Sequence, residues 1–376
     1  MTFAEKLVSF ILRQRFIVIG AAVLLAVWGI WAFKRLPIEA YPDVAPLKVQ
    51  IISQWPGRGS EEVERGITVP VESAIAGLPK MASVRSISLF GLSVVTVVFE
   101  DDADNYQSRQ QILSRVNSLT LPAGVNPNLS PDSGATGELY RYTVEGEGID
   151  VMELKTLQDW VLEREFKKVP GVVDVVSFGG PIKQYHIQVD PLRLKNYNIT
   201  VQQLFNAVAG SNNNIGANTI DHGEESYVVR GIGLIRSVAD LEDTVLASRG
   251  GTPVLVKDVA TVSIGSPPRL GLVGKDKKGD VVEGIILARR GENALEVLGR
   301  VKEKVVELNQ SILPTQVKVK PYYDRTDLIH MTTHTVFENL IVGIGLVVGI
   351  LLLFLGNFRS AFIVTVTIPL SLLFAF

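Results

Sequence analysis

Two long apolar runs near opposite ends of the chain constrain its fold more than any other feature. The first, Phe16 to Phe33, has 18 residues and no charged side chain, close to the ~20 residues that cross the hydrocarbon core of a bilayer. The second, Asn339 to Gly356, also lacks ionisable residues. Because the intervening sequence has ordinary polarity, the pattern predicts membrane helices that flank a large water-exposed segment.

A cleaved signal peptide is the alternative for the first run. Its apolar region would cover only ~7–15 residues and would precede a cleavage site of small residues. Here the run is longer and ends with Trp28, Trp31, Lys34 and Arg35, a combination typical of an interfacial anchor. The sequence therefore predicts a retained helix in residues 1–35.

A third apolar run starts at Ala361 and is still apolar at Phe376, the last residue. Such a run does not comfortably cross a bilayer. We therefore expect spans at 331–357 and, in part, at 358–376, and we expect this sequence to be the N-terminal fragment of a longer protein.

Basic residues predict the orientation of these spans, because short loops rich in Lys and Arg stay in the cytoplasm. Lys6, Arg13 and Arg15 precede the first run, and Arg359 lies between the second and third runs. The long middle segment must then be on the other side of the membrane. In a Gram-negative cell that side is the periplasm.

The middle segment begins with a β-α-β-β-α-β order over residues 36–134, which predicts a ferredoxin-like unit. The positions of apolar and turn-forming residues predict where its strands and helices lie. Strands are predicted at 48–54, 84–90 and 94–99, and helices from the cap residue Ser60 and over 104–119, with Tyr106, Leu113 and Val116 on one stripe.

The same order recurs in residues 135–190 and 267–330 and predicts a second ferredoxin-like unit. Its predicted strands are 139–145, 172–178, 184–189, 281–287 and one at Val317 and Val319; its helices are 151–168 and one with a stripe from Ala294 to Ile312. Residues 191–266 interrupt the pattern. The polar stretch from Ser211 to Gly223 precedes a strand at 227–230, which predicts either an ordinary surface loop or a hairpin arm that reaches a neighbouring subunit.

Composition excludes several classes of protein. Net charge is −2 without clustered Lys and Arg, so nothing indicates a nucleic-acid surface. The absence of cysteine excludes disulfides, thiolate metal sites and cysteine nucleophiles. No nucleophile–base constellation indicates an enzyme.

Four histidines are present. His330 and His334 are four residues apart, a spacing that puts both on one helix face, as a metal pair requires; the alternative is a pair of amphipathic residues at the lipid headgroups. His186 and His222 are single histidines without a ligand pattern.

Short stretches in a fixed order carry a family resemblance. They are Leu36–Asp43, Tyr106 with Arg109 after Phe99–Asp101, Leu121–Val125, Leu157–Trp160, Pro170–Val172, Val189–Pro191, Tyr323–Ile329 and Asn357–Ala361. Together they span essentially the whole chain. The chain resembles the resistance-nodulation-division (RND) transporters, and in particular their heavy-metal efflux branch.

This resemblance implies an α+β membrane protein with two ferredoxin-like periplasmic porter subdomains and a docking insertion. It further implies a proton antiporter of the inner membrane that exports metal cations without a cofactor, as a homotrimer working with a periplasmic adaptor and an outer-membrane channel. The family's proton-relay carboxylates lie on a fourth span, which this sequence does not contain. A proton relay needs an ionisable group inside the membrane, and the three runs have none.

Candidate metal ligands are scarce. Methionine occurs only at scattered positions, which disfavours a soft copper or silver site here. Glu138 and Asp174 are predicted on strands of one sheet, near the cleft that faces the porter subdomains absent from this sequence. Carboxylates favour zinc, cobalt or nickel; the alternative is a structural ion pair.

Three other functions remain as alternatives. A multidrug pump of the same family would need an aromatic-rich cleft, whereas only 7% of the residues are aromatic. A sensory receptor would place a signalling domain after the second span, where this chain has a third apolar run. A protein-export accessory would lack the docking-type insertion.

Overall fold

The computed structural model describes residues 14–35, 43–223, 225–249, 251–269, 271–355 and 358–375. It is a mixed α/β chain with long apolar helices and several antiparallel sheets. The predicted family stretch at 36–42 and the turn residue Asn357 lie outside the described residues.

The first helix, α1, is Arg15–Arg35. Its segment Phe16–Phe33 is long and apolar enough to cross a membrane, which agrees with the predicted first span. Most of its apolar side chains are exposed, as expected for a helix whose natural surroundings are lipid.

A four-stranded antiparallel sheet, here called the first sheet, follows with two helices. Its elements are β1 (Lys48–Gln54), α2 (60–75, in the segments Ser60–Val63, Glu64–Thr68 and Val69–Ile75), β2 (Met81–Leu89), β3 (Leu92–Phe99), α3 (Asn105–Asn117) and β4 (Asn128–Leu129). The strand order is β2-β3-β1-β4.

The core of this unit follows from period-2 and helical patterns. Strand β1 buries Val49, Ile51 and Ser53, the side predicted to share one face. Helix α3 buries Ser108, Ile112 and Val116, of which Val116 belongs to the predicted stripe. Tyr106 and Leu113 are exposed, so that part of the prediction is wrong.

The next elements are β5 (Glu138–Gly146), α4 (151–167, in the segments Val151–Leu157, Gln158–Leu162 and Glu163–Lys167) and β6 (Val172–Phe178). Asp150 precedes α4 in extended conformation, and Gly171 adopts a φ of 92° between α4 and β6, a conformation that favours glycine. The predicted strands and helix in this stretch are therefore present.

A smaller α/β region lies between β6 and the two strands that complete its sheet. It comprises β7 (Gln184–Val189), α5 (Pro191–Asn196), α6 (Val201–Ser211), β8 (Ile215–His222), β9 (Glu225–Gly231), α7 (Val238–Glu242), β10 (Val245–Arg249), β11 (Thr252–Leu255), α8 (Val256–Val259) and β12 (Ala260–Gly265). Three two-stranded sheets form here: β7 with β12, β8 with β9, and β10 with β11.

The chain then returns as β13 (Val282–Ala288), α9 (294–312, in the segments Ala294–Glu307 and Leu308–Ile312) and β14 (Val317–Asp324). These strands complete the second sheet, whose order is β14-β5-β13-β6. Along α9 the predicted stripe is buried from Ala294 to Leu308, whereas Ile312 is exposed.

The assignment of residues 184–189 to the second sheet is wrong. Strand β7 pairs with β12 in register from Val189↔Ala260 to Gln184↔Gly265. Strand β13, rather than β7, lies between β5 and β6, and it is buried at every position but one. Because β7 has no fully buried position, it lacks the apolar character that a central strand needs.

Two apolar helices end the described chain: α10 (Arg325–Leu355) and α11 (Phe358–Ala375). The segment Arg325–Phe354 of α10 is the second that is long and apolar enough to cross a membrane. Helix α11 packs closely on α1, since a Cβ added to Gly29 would lie 2.5 Å from the carbonyl oxygen of Leu373. The rings of Phe33 and Phe337 meet edge to face at 6.1 Å, which joins α1 to α10.

Candidate functional site

The second sheet presents one apolar and one polar face. Helices α4 and α9 cover the apolar face, where Tyr142 and Ile286 are fully buried. Directly paired residues of neighbouring strands lie on the same side. The pairings therefore place the predicted carboxylates and several other charged residues together on the polar face.

Glu138 and Asp174 both pair with Leu287, the first from β5 and the second from β6. The prediction that both lie on strands of one sheet is therefore met. Two strand spacings separate their backbones, roughly 10 Å. To bind one ion together, the two carboxylates would have to reach it from opposite sides of Leu287.

Each of these two carboxylates forms an ion pair with a basic side chain. Glu138 accepts a hydrogen bond from the guanidinium of Arg141, which also stacks at 6.0 Å over the ring of Tyr323. Asp174 lies 2.7 Å from the ammonium of Lys167. The geometry is that of structural ion pairs, which would have to open before either group could bind a metal.

A third carboxylate on this face, Glu283 of β13, was not predicted. Its side chain is buried and accepts a hydrogen bond from the hydroxyl of Tyr322. Burial and the adjacent carboxylate raise the pKa of that tyrosine. The sequence signal was a single acidic residue in an otherwise apolar strand, since a buried carboxylate needs a polar partner.

Glu145 sits in a cluster of three lysines at the end of β5. Its carboxylate lies 3.0 Å from Lys275, 3.3 Å from Lys278 and 3.1 Å from Lys320. The hydrogen bond from Lys275, followed by those from the other two lysines, lowers the pKa of Glu145 to about 2. An open groove of about 490 Å³ adjoins the cluster, with Lys318 also in its wall, so this edge of the sheet is basic.

A partly buried ion pair links the chain entering the first sheet to the second sheet. Arg290 lies 3.1 Å from the carboxylate of Asp43, and its guanidinium donates to the carbonyl of Ala45 at 2.7 Å. A Cβ on Gly134 would lie 2.2 Å from the Asp43 carboxylate, so a larger residue there would have to displace that side chain. A groove of about 420 Å³ opens beside this pair.

The four histidines lie in three places, and only His330 and His334 are near each other in the sequence. His186 pairs with Ser263 between β7 and β12, and the side chain of His222 is outside the described part of the chain. His330 and His334 are exposed on α10, as predicted. Among the described residues, no group of three or more His, Asp or Glu side chains converges as a metal site.

The hairpin of β8 and β9 projects from the smaller region. Strand β9 is exposed at every position, including the apolar side chains of Tyr227, Val228 and Val229. The hairpin thus exposes apolar side chains on a two-stranded sheet.

Known proteins resemble this chain over nearly its whole length. Residues 7–376 match the AcrB/AcrD/AcrF family. Protein HelA of Legionella pneumophila is 39% identical over 378 residues, which are 98% of this chain and 36% of HelA. The cobalt-zinc-cadmium resistance protein CzcA of Cupriavidus metallidurans is 38% identical over 383 residues, 99% of this chain and 36% of CzcA.

The cation efflux system protein CusA of Escherichia coli is 36% identical over 379 residues, 98% of this chain and 36% of CusA. A crystal structure of a heavy metal efflux pump superposes with a TM-score of 0.89 at 43% identity, covering 97% of this chain and 37% of that one. The chain thus spans a little over a third of the length of these relatives.

Proposed function

The chain belongs to the AcrB/AcrD/AcrF family of RND proteins, and from this premise we propose that it is part of the inner-membrane subunit of a proton-driven pump that exports metal cations. One observation carries the proposal: relatives named for cation efflux and for cobalt, zinc and cadmium resistance match 98–99% of the chain at 36–38% identity. The match to the solved heavy metal efflux pump supports it.

We further propose that the two four-stranded sheets with their helices are ferredoxin-like porter subdomains. Both strand orders, β2-β3-β1-β4 and β14-β5-β13-β6, are those of the split β-α-β unit. The docking insertion would include β7, because that strand pairs with β12 and not with the second sheet. The sheets would lie in the periplasm, between the spans at α1 and α10.

The exposed hairpin of β8 and β9 suits contact with a neighbouring copy of the chain in a homotrimer. A periplasmic adaptor and an outer-membrane channel would complete the assembly. The adaptor and the channel are proposed because of family membership. The exposed apolar side chains of the hairpin are the feature of this chain that supports the contact with a neighbouring copy.

Glu138 and Asp174 are proposed as transport-site residues that exchange their ion pairs for a cation. The polar face of the second sheet carries both, on either side of Leu287. Arg141 and Lys167 would pair with the carboxylates while no cargo ion is bound. A metal cation would therefore have to displace these two basic side chains in order to bind. Oxygen ligands of this kind favour zinc, cobalt or nickel.

The proposal is tested by metal accumulation in cells that carry the full-length gene or lack it, across zinc, cobalt, nickel, cadmium, copper and silver. We expect lower accumulation of one group of ions, abolished by a protonophore. Glu138→Gln and Asp174→Asn should restore accumulation at unchanged protein level. Glu296→Gln, which removes an exposed carboxylate on α9, is the matched control.

Unchanged accumulation of every metal, together with reduced retention of a fluorescent dye, would overturn the metal function and favour the multidrug branch. Normal efflux by both carboxylate variants would leave metal export standing and remove Glu138 and Asp174 from the transport path.

A further inference from the structure

We propose that His330 and His334 form a binding site for a divalent transition-metal ion on the exposed face of α10, with Glu338 orienting one of the imidazoles. The site is separate from the polar face of the second sheet. It rests on the proposed function only for the choice of ions to be tested.

The two histidines have the spacing and exposure that such a site needs. Helix α10 is continuous from Arg325 to Leu355, so residues four apart lie one above the other with Cβ atoms ~5–6 Å apart. Both side chains are exposed. Two imidazoles at this spacing can reach one ion at the ~2.0–2.1 Å of a Zn–N bond.

Glu338 adds a contact that a mere pair of surface histidines lacks. Its Oε2 lies 3.6 Å from Nδ1 of His334. A carboxylate on Nδ1 fixes the tautomer that leaves Nε2 free for a metal, and it raises the basicity of that nitrogen. At 3.6 Å the pair is just beyond hydrogen-bond distance, so a small side-chain movement would let Glu338 accept from Nδ1 and support a metal bound at Nε2 of His334.

The surrounding charge also favours a cation. Asp327 lies three residues before His330 and so shares its face, while Glu338 follows His334 by four. No Lys or Arg occurs between Arg325 and Arg359. Arg325 itself is buried and donates to the carbonyl oxygen of Thr136, away from this exposed face.

The position on the helix places the site in contact with water. His330 and His334 precede the apolar run at Asn339 by nine and five residues, or about 13 and 8 Å along the axis. The pair thus lies at the level of the headgroups or just outside it, on the side of the membrane occupied by the two sheets.

The donor set selects the class of ion. Imidazole nitrogen suits zinc, copper, nickel and cobalt, and disfavours calcium and magnesium. The described residues offer no converging group of three His, Asp or Glu ligands. Water or another small ligand would therefore complete the coordination of an ion held by two histidines.

The test is Zn²⁺ binding, measured by calorimetry on the tag-free chain in an uncharged detergent, with Cu²⁺ and electron paramagnetic resonance to count nitrogen ligands. We expect one site with two imidazole nitrogens. His330→Ala and His334→Ala should each weaken binding at least tenfold, and the double variant should abolish this site. Glu338→Gln should weaken it about 10- to 100-fold with the same nitrogen count.

His186→Ala is the control and should leave binding unchanged. Circular dichroism verifies the fold of each variant, and alanine at exposed helix positions favours the helix. Wild-type affinity in the double histidine variant would overturn the proposal. Binding is measured on purified protein and efflux in cells, so either proposal can fail without the other.

Discussion

At the residue scale, Glu145 is the side chain whose surroundings most clearly change its chemistry. Three lysines from two other segments of the chain converge on its carboxylate. They join β5 to β14 and to the connection before β13. Part of the cohesion of this sheet edge therefore depends on one negative charge.

Because the pKa of Glu145 is lowered to about 2 from an ordinary 4.5, its stabilising effect is complete above pH 4.5 and is lost as pH falls toward 2. Glu145→Gln should therefore melt at a lower temperature than wild type at pH 7, and the difference should shrink over that acidic range. Thermal unfolding followed by circular dichroism in detergent measures both quantities.

Glu61→Gln serves as the control, since that carboxylate is 74% exposed in its ion pair and such pairs contribute little. Parallel melting-temperature curves for wild type and Glu145→Gln across the acidic range would contradict the assignment.

The sequence predicted where carboxylates would lie but not what they would contact. Glu138 and Asp174 were placed on one sheet by strand patterns alone. Their partners, Arg141 and Lys167, depend on side-chain conformation, which no periodicity encodes. Likewise Lys320 reaches Glu145 across 175 residues, a contact that requires the strand order to be known.

At the element scale, the packing of β13 against β5 requires a glycine. Gly284 faces the fully buried ring of Tyr142, and an added Cβ would lie 2.2 Å from that ring. The tyrosine hydroxyl donates to Gln158 on α4 at 3.0 Å, so the ring cannot move without breaking this bond.

Gly284→Ala should therefore lower the free energy of unfolding by about 1–3 kcal/mol through overpacking. Urea unfolding of the purified chain measures the change. Gly299→Ala on α9, where a Cβ meets nothing within 4 Å, should instead stabilise by up to about 1 kcal/mol. Equal effects of the two substitutions would show that Tyr142 does not define the space at β13.

Elements with a strict pattern were predictable, and those without one were not. Strand β1 buries the predicted side because its alternation is regular. The pattern predicts the buried face of helix α3 only in part, because that face includes Ser108, a polar residue that apolar periodicity overlooks. Strand β7 was placed in the wrong sheet because an isolated strand pattern does not identify its partner.

At the scale of the whole molecule, the Asp43–Arg290 pair connects the two sheets. Both side chains are largely shielded, at 16% and 27% exposure. Arg290→Ala would leave a shielded carboxylate without its cation, and Ala45 without a donor. We expect a loss of about 2–3 kcal/mol, measured by urea unfolding, and faster proteolysis of the segment near residue 43.

The neighbouring Arg289→Ala is the matched control. That side chain is 56% exposed and lies 3.9 Å from Glu292, so its removal should change the free energy of unfolding by less than about 0.5 kcal/mol. The same small loss for Arg290→Ala would mean that the sheets are held together by other contacts.

The close packing of α11 on α1 at Gly29 also has a consequence for the order of events during synthesis. Roughly 320 residues separate the two helices, and at ~5–20 residues per second the ribosome needs tens of seconds to supply the second one. During that delay α1 lies in the bilayer with its glycine face against lipid. A small residue there permits close helix approach, so the contact surface of α1 around Gly29 stays without its helix partner until α11 has been translated.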